Sequence, residues 1–462
     1  MNNLFINIMK AISDFLWDNI LVYALLGTGL YYTIRLGFPQ IVKFGRAMKE
    51  AFGGVFSKKA DKKKPDEAGE VTSFAALATA IAAQVGTGNV AGVATAIMAG
   101  GPGAVFWMWM SGILGMGTVF AEAVLAQIYR EEKDGAIYGG PSYYMSKGIR
   151  NKKLGKILAT LFSVFIILAL PLAGNMVQSN SISTSLQTAF NISPIIIGGV
   201  LGVLVLLIVA GGIERISKVA ETVVPIMALV FIIAGFAIIF KFRANLGNTF
   251  KQIFDGAFGV QAVAGGMLGA TMKQAMRLGI ARGLFSNEAG MGSTPHAHAV
   301  ADVPHPGNQG LVAIAGVVVD TLIICTLTAL IILLPEAHTA AAVDGSIHGP
   351  AVTQLGFTLA YGKAGEIFLA VSLLFFAFTT IIGWYYFGES NIMYLFGKKA
   401  LTPFRILVAL AVFAGTLIPV ATVWDISDFF NALMVLPNVI AVLILSNVVV
   451  KSKKEFDLID KK

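Results

Sequence analysis

Hydrophobic residues gather into long runs along this chain, separated by short stretches rich in lysine, arginine, glycine and proline. With about 20 apolar residues as one bilayer crossing, eleven runs qualify, near 17–36, 72–100, 103–129, 155–188, 194–212, 219–240, 257–284, 309–334, 365–396, 403–420 and 427–450. Each is expected to be helical, because a segment in hydrocarbon must satisfy its own backbone. Two runs depart from the pattern. In 72–100, Ala82-Ala83-Gln84-Val85-Gly86-Thr87-Gly88-Asn89-Val90-Ala91-Gly92 sets three glycines beside three polar side chains at mid-depth. A glycine costs a helix about 1 kcal/mol against alanine. Glycines alone would suit a smooth helix packed closely on a neighbour. With Gln84, Thr87 and Asn89 in the same two turns, the stretch predicts a broken helix whose centre binds a small polar solute and a cation. The run 257–284, with Gly259, Gly265, Gly266 and Gly269, is read as a second interrupted helix.

With the first run set aside, ten remain in two halves of five, each opening on an interrupted helix. Five is odd, so the second half enters the membrane from the opposite side. The pattern predicts an all-α integral membrane protein of about eleven transmembrane helices, a 5+5 inverted repeat preceded by one extra helix. Its expected units are 1–70 (extra helix and basic linker), 71–245 and 246–450 (the two five-helix repeats) and 451–462 (basic tail).

Composition agrees: 56% of the 462 residues are hydrophobic and 13% charged, against about 25% charged in soluble domains. The lone Cys325 lies in an apolar run, which excludes an intrachain disulfide and a cysteine-based metal cluster. The first 36 residues lack a basic start and a small-residue cleavage site and are read as retained. The net charge of +8 is spread over alternate loops, at Lys43 to Lys64, Lys133 to Lys153, Arg215 and Lys218, Lys398 and Lys399, and the tail from Lys451. The other loops hold only Lys241, Arg243, Lys251 and Lys363 beyond Lys10. That asymmetry puts the basic loops and the C-terminus in the cytoplasm and the N-terminus outside. It also accounts for the charge without nucleic acid. Residues 134–151 are expected to form a partly helical cytoplasmic segment, and 335–365 a lid over the outer surface.

Where a helix breaks, one half-helix end attracts a carboxylate and the other an ammonium or metal cation, a ready site for a zwitterion. Run 72–100 has no acidic residue, and Lys273, Arg277 and Arg282 are placed toward the cytoplasmic end of 257–284. Backbone and neutral side chains would therefore do most of the binding. Thr379 and Thr380 either bond their own helix carbonyls or offer hydroxyls to a hard cation. Trp384, one turn beyond Thr380, is a pocket wall or an interfacial anchor, and Gln178 faces the cavity or a neighbouring helix. Of the carboxylates at membrane depth, Glu122 and Glu389 are expected to pair with Lys273, Arg277 or Arg282, while Asp320 is a candidate for proton coupling. His296 and His298, near Asp302 and His305, invite a zinc reading, but a loop docked on helix ends fits their spacing better. No nucleophile elbow, Walker loop or dinucleotide fingerprint occurs.

Val85 to Val93, Gly174-Asn175-Met176-Val177-Gln178, Arg282 to Gly292 and Trp384-Tyr385-Tyr386-Phe387-Gly388-Glu389 resemble the alanine/glycine:cation symporter family, within the amino acid–polyamine–cation superfamily. The resemblance covers nearly the whole chain. It implies the leucine-transporter fold in spans 2–11 and sodium-coupled uptake of L-alanine or glycine, with D-alanine also open, across a prokaryotic inner membrane. No obligate protein partner is implied. Carried over, Gly86, Thr87, Gly88, Asn89 and Gln178 would hold the substrate, Gly265, Gly266 and Gly269 would mark the partner break, and Trp384 would close the side-chain pocket with Met267. Na+ would sit against the carbonyls of Ala82 and Val85 and the hydroxyls of Thr379 and Thr380, with a second ion near Asn89 and the Gln84 carbonyl. Proton coupling through Asp320, an ion channel, and a membrane hydrolase built on His296 and His298 are the rival readings.

Overall fold

The computed structural model describes residues 3–53, 70–133, 135–258 and 272–459. At its centre stands a helix in two parts, Ser73–Gln84 and Gly88–Gly100, bent by 46° where they meet. Alanine dominates the first part, and every residue from Ala75 to Gln84 is buried. Small side chains let neighbouring helices approach its backbone closely, as they do in membrane bundles generally. Among the described residues six long apolar helices stand with it: Gly103–Ile128, Lys152–Phe190, Gly212–Lys241, Pro306–Leu333, Lys363–Leu395 and Val420–Ile444. The shorter Pro194–Val209 and Leu401–Gly415 pack on each other at the periphery. The outer helices turn Ile195, Ile196, Val203, Leu207, Leu229, Ile233 and Phe236 outward, a surface that only lipid covers without penalty. The first helix spans 3–35, widens to a π-type turn over Trp17–Leu21, and leans on Val420–Ile444 and Gly103–Ile128.

Cross-contacts separate the two ends of the bundle. At the N-terminal end, Asn245 Nδ2 donates to the Leu334 carbonyl at 2.9 Å, and Trp107 Nε1 to that of Ala257 at 3.2 Å. At the other end Arg130 pairs with Glu70 at 2.8 Å, and the Val71 N–H donates to Val300 at 3.0 Å. The segment expected as a lid forms two helices at the N-terminal end, Ala337–Asp344 and Pro350–Tyr361. The second lies against the bend in the central helix, where Thr353 Oγ1 donates to the Val90 carbonyl at 3.0 Å. Residues 131–148 combine a hairpin of Glu131–Lys133 and Ala136–Tyr138 with the helix Pro141–Gly148. That segment was expected to be partly helical, without the hairpin.

The run 257–284 is described only toward its two ends: helix Leu246–Phe258 reaches its start, and Gly259, Gly265, Gly266, Met267 and Gly269 lie outside the described residues. A helix is present again from Met272 to Asn287, gives way to a turn over 288–294, and is followed by the helix Pro295–Ala299. This path starts at the N-terminal end, where Arg277 meets Asp14 at 2.5 Å, and finishes at the opposite end, where Gln127 Nε2 donates to the His298 carbonyl at 2.5 Å. Residues 285–298 are thus an interior passage rather than a loop docked on helix ends, and every one of them is buried. Gly290 and Gly292 supply the positive φ values, 81° and 77°, that the turn needs.

The carboxylate pairings change with it. Arg277 and Arg282 sit near the N-terminal end and bind Asp14 and Asp428. Glu122 instead accepts from the N–H groups of Gly290 (3.1 Å) and Gly292 (3.0 Å) and from Asn438 Nδ2 (2.6 Å). Glu389 accepts from the Tyr385 hydroxyl and lies 3.8 Å from Arg405. A carboxylate finds whichever donors its own level of the bundle offers.

The last helix, Ser446–Ile459, is fastened to the basic end. Phe456 is buried under Arg46, 4.3 Å from its ring centroid, and stacks on His305. Asp457 bonds Lys43 (2.7 Å) and Lys453 (2.5 Å). Burial pushes the Asp457 carboxyl up, but the two ammonium groups outweigh it and hold it below the usual aspartate range. Its contribution is therefore intact above that range and is lost as pH falls through the lowered value. Phe456→Ala should remove about 3 kcal/mol of packing, seen as faster hydrogen exchange over 446–459 with the rest of the bundle unchanged. The same segment should also loosen in acid.

Candidate substrate and cation site

The bend consists of Val85, which has left the helix with ψ 88°, followed by Gly86 and Thr87. In an unbroken helix the carbonyls of Ala82 and Ala83 would accept from the N–H groups of Gly86 and Thr87. Both donors are diverted. The Gly86 N–H goes to Asn89 Oδ1 at 2.9 Å, a side chain three positions on that caps the second half-helix. The Thr87 N–H goes to Gln178 Oε1 at 3.0 Å.

The Thr380 hydroxyl meets the freed carbonyls. Its oxygen lies 2.8 Å from the Ala82 carbonyl, 3.4 Å from that of Val85 and 3.1 Å from that of Phe376. One hydroxyl hydrogen serves one acceptor at a time, so the cluster holds more oxygen lone pairs than protons. Oxygen-rich, donor-poor surroundings suit a hard cation. Gly86 makes the approach possible, since a Cβ there would lie 2.3 Å from Thr380 Oγ1 and 2.9 Å from Gln178 Oε1. Thr379 turns to its own helix, donating to Phe375 (3.0 Å) and Phe376 (2.9 Å). Gln84 Nε2 donates to the Asn287 carbonyl at 2.7 Å.

The helix Met272–Asn287 runs close behind Gly88 and leads into the turn 288–294. A Cβ on Gly88 would lie 3.1 Å from Ser286 Cα. Asn89 Nδ2 donates to Asp320 Oδ1 at 2.6 Å, and Ser286 and Thr321 donate to the same carboxylate at 2.9 and 2.7 Å. Among the described residues Asp320 has neutral donors and no ion pair. Trp384 is buried rather than interfacial. Its indole N–H donates to Glu288, its ring lies so close to Gly174 that a Cβ would fall 2.5 Å away, and Phe285 meets it edge-on at 5.6 Å. Ser293 donates to the other Glu288 oxygen at 2.6 Å.

The structure therefore brings Ala82, Val85, Gly86, Thr87, Asn89, Gln178 and Thr380 into mutual contact. The buried Thr87 hydroxyl and the Gln178 amide nitrogen have no hydrogen-bond partner among the described residues. Both belong to the group expected to hold a solute. Sequence reasoning missed Glu288 and Ser286. Two glycines and then Pro295 within six residues were the available sign of a break. His296 is engaged through both ring nitrogens, with the Ser293 carbonyl at 2.7 Å and Asn391 at 2.8 Å. His298 meets Gln309 at 2.8 Å.

The profile of the sodium:alanine symporter family matches residues 1–462. The chain is 40% identical over 460 residues to the sodium/alanine symporter AgcS of Methanococcus maripaludis, covering 99% of this chain and 98% of the relative. It is 39% identical over 457 residues to the probable sodium/glutamine symporter GlnT of Bacillus subtilis, covering 99% and 91%. Among solved structures, MhsT in complex with L-phenylalanine superposes with a TM-score of 0.60 at 14% identity, over 82% of this chain and 90% of that one. That likeness extends to the fold alone.

Gly86→Ala should push Thr380 off the two carbonyls and abolish sodium-induced thermal stabilisation of the purified protein. Gly92→Ala is the control, because a Cβ there meets only the Thr87 carbonyl, at 3.8 Å. Equal sodium responses in the two variants would detach the bend from cation binding.

Proposed function

The chain belongs to the sodium:alanine symporter family, whose members are transporters and not enzymes, and from that premise we propose that it carries a small neutral amino acid, alanine or glycine, inward with sodium. The observation that carries this reading is the pairing of two unlike sites at one bend. Ala82, Val85 and Thr380 offer oxygens to a cation, and within one turn Thr87, Asn89 and Gln178 offer the polar groups that a zwitterion needs. A cation so close to the substrate carboxylate favours its binding, and the substrate favours the cation by the same factor. Each net charge carried inward gains about 2.3 kcal/mol per 100 mV of membrane potential.

Eleven spans with the N-terminus outside are supported by the end-to-end path of the chain and by the lysines and arginines collected at one end. The 5+5 repeat is supported by paired packing. Gly103–Ile128 lies on Met272–Asn287 as Pro306–Val317 lies on Ser73–Gln84, and Lys152–Ile167 lies on Val420–Ile444 as Lys363–Leu395 lies on Gly212–Lys241. The turn 288–294 is then the second break, and Trp384, fixed by Glu288, limits the substrate side chain.

Thr380→Ala removes a ligand whose hydrogen-bond-like contact to a charge is worth about 1.5 kcal/mol or more. Sodium activation of alanine counterflow in proteoliposomes should shift at least tenfold, with protein abundance unchanged. Trp384→Ala should let larger amino acids such as glutamine compete. Unchanged selectivity in a folded variant would put the wall elsewhere.

The buried, ion-pair-free Asp320 favours a second reading, proton coupling. Asp320→Asn separates them. Under sodium coupling, alanine uptake retains its sodium dependence. Under proton coupling, uptake driven by a pH gradient without sodium disappears.

A further inference from the structure

The first helix lies outside the expected repeat, yet charge ties it to the helix that leads into the turn 288–294. Arg277 of Met272–Asn287 pairs with Asp14 at 2.5 Å through Nη2 and with Asp18 through Nε. The two aspartates stand one turn apart, so a single helix face presents both carboxylates to the one guanidinium. Trp17, between them, opens the π-type turn and donates its indole N–H to the Asp428 carbonyl at 3.3 Å. Asp428 in turn holds Arg282 through both terminal nitrogens, at 2.7 and 2.6 Å.

We propose that the first helix is a working part of the transporter. Asp14 and Asp18 are positioning residues whose grip on Arg277 keeps Met272–Asn287 shut over the bend, and release of that grip opens the N-terminal end. The proposal rests on the transport reading above, which requires a solute to reach the bend from one end of the bundle at a time.

What the clasp holds is the cover of the site. Ser286, further along the same helix as Arg277, lies so close to the bend that a Cβ on Gly88 would fall 3.1 Å from its Cα. Both belong to one continuous helix, so Arg277 shifts when Ser286 parts from Gly88. The first helix is not free to follow. A Cβ on Gly29 would lie 2.7 Å from the Leu114 carbonyl oxygen of Gly103–Ile128, and the Tyr32 hydroxyl donates to the Val442 carbonyl of Val420–Ile444 at 2.5 Å. Near the clasp itself, a cavity of about 140 Å³ lies among Asp14, Trp17, Arg277 and Asp425. Charge therefore spans a gap there that packing does not fill. Arg277 and Arg282 point about 140° apart around their helix and tie it to two different neighbours. A helix held on two sides in this way has discrete positions, closed and released.

Cys325, the single cysteine of the chain, reports on the cover. Its buried sulfur lies 3.2 Å from Ser286 Oγ and 3.4 Å from Asn89 Nδ2, so a reagent reaches it when Ser286 and the bend have parted. The test is the rate at which N-ethylmaleimide alkylates Cys325 in the purified full-length chain, read by mass spectrometry in sodium without alanine. Asp14→Asn combined with Asp18→Asn should raise that rate roughly fivefold, the bias that two partly exposed pairs supply. Arg277→Gln should do the same, and carries the test alone should the double variant fail to purify. All three substitutions together should do no more than either set, because they remove one shared interaction. Saturating alanine should slow alkylation in the variants as it does in the unaltered chain, which a bundle merely loosened by substitution would not allow. Unaltered rates in the variants, effects that add, or alkylation that alanine slows only in the unaltered chain overturn the proposal while leaving the transport site standing. Alkylation of the unaltered chain that alanine fails to slow overturns both readings together.

Discussion

A peptide group inside a membrane has no water to fall back on, so every N–H and C=O released from a helix must meet another partner. At Val85 and Gly86 that requirement is met from three directions. Asn89 folds back onto the Gly86 N–H, Gln178 arrives from Lys152–Phe190 to take the Thr87 N–H, and Thr380 arrives from Lys363–Leu395 to meet the carbonyls. Donors and acceptors do not come out even. The N–H groups find full partners, while the carbonyls share one hydroxyl hydrogen. That imbalance leaves surplus carbonyl oxygen at the bend. It also explains why the surrounding helices must come so close, and why Gly86 and the alanines before it are small.

The turn 288–294 solves the same problem with an anion. Gly290 and Gly292 adopt positive φ, so their N–H groups point together, and the Glu122 carboxylate fills the nest that results. Asn438 shares that carboxylate from Val420–Ile444. Glu288 faces the other way, toward Trp384 and Ser293. Two carboxylates thus tie one short turn to three helices, one beside Trp384 and one on its far side. A movement of this turn relative to the bundle must exchange those partners, which makes its positions discrete rather than continuous.

Polar side chains near the N-terminal end follow different rules. There Arg277 meets Asp14 and Asp18 of the first helix in partly exposed pairs that cost little to open, while the buried Arg282 grips Asp428 of Val420–Ile444 through both terminal nitrogens. Deep in the bundle the donors are neutral: Asn89, Ser286 and Thr321 around Asp320, and Asn438 at Glu122. The interior therefore holds these carboxylates without fixing counter-charges beside them, and the ends hold theirs with arginine and lysine.

Local composition alone determined a good deal about this protein. Long apolar runs require helices in lipid, and three glycines amid Gln84, Thr87 and Asn89 require a break wherever a helix would otherwise bury them. The spacing that sets Thr380 one turn before Trp384 also survives, because both belong to one continuous helix. The turn at 288–294 could not be read in the same way, because Glu288, His296 and His298 look like the polar content of a loop. What allows a carboxylate and two imidazoles into the interior is the set of groups that meet them. Those come from Trp384, 96 positions after Glu288, from Asn391, 95 positions after His296, and from Gln309, 11 positions after His298. Hydropathy measures what a residue would cost alone in lipid. Only the folded bundle decides whether it is alone.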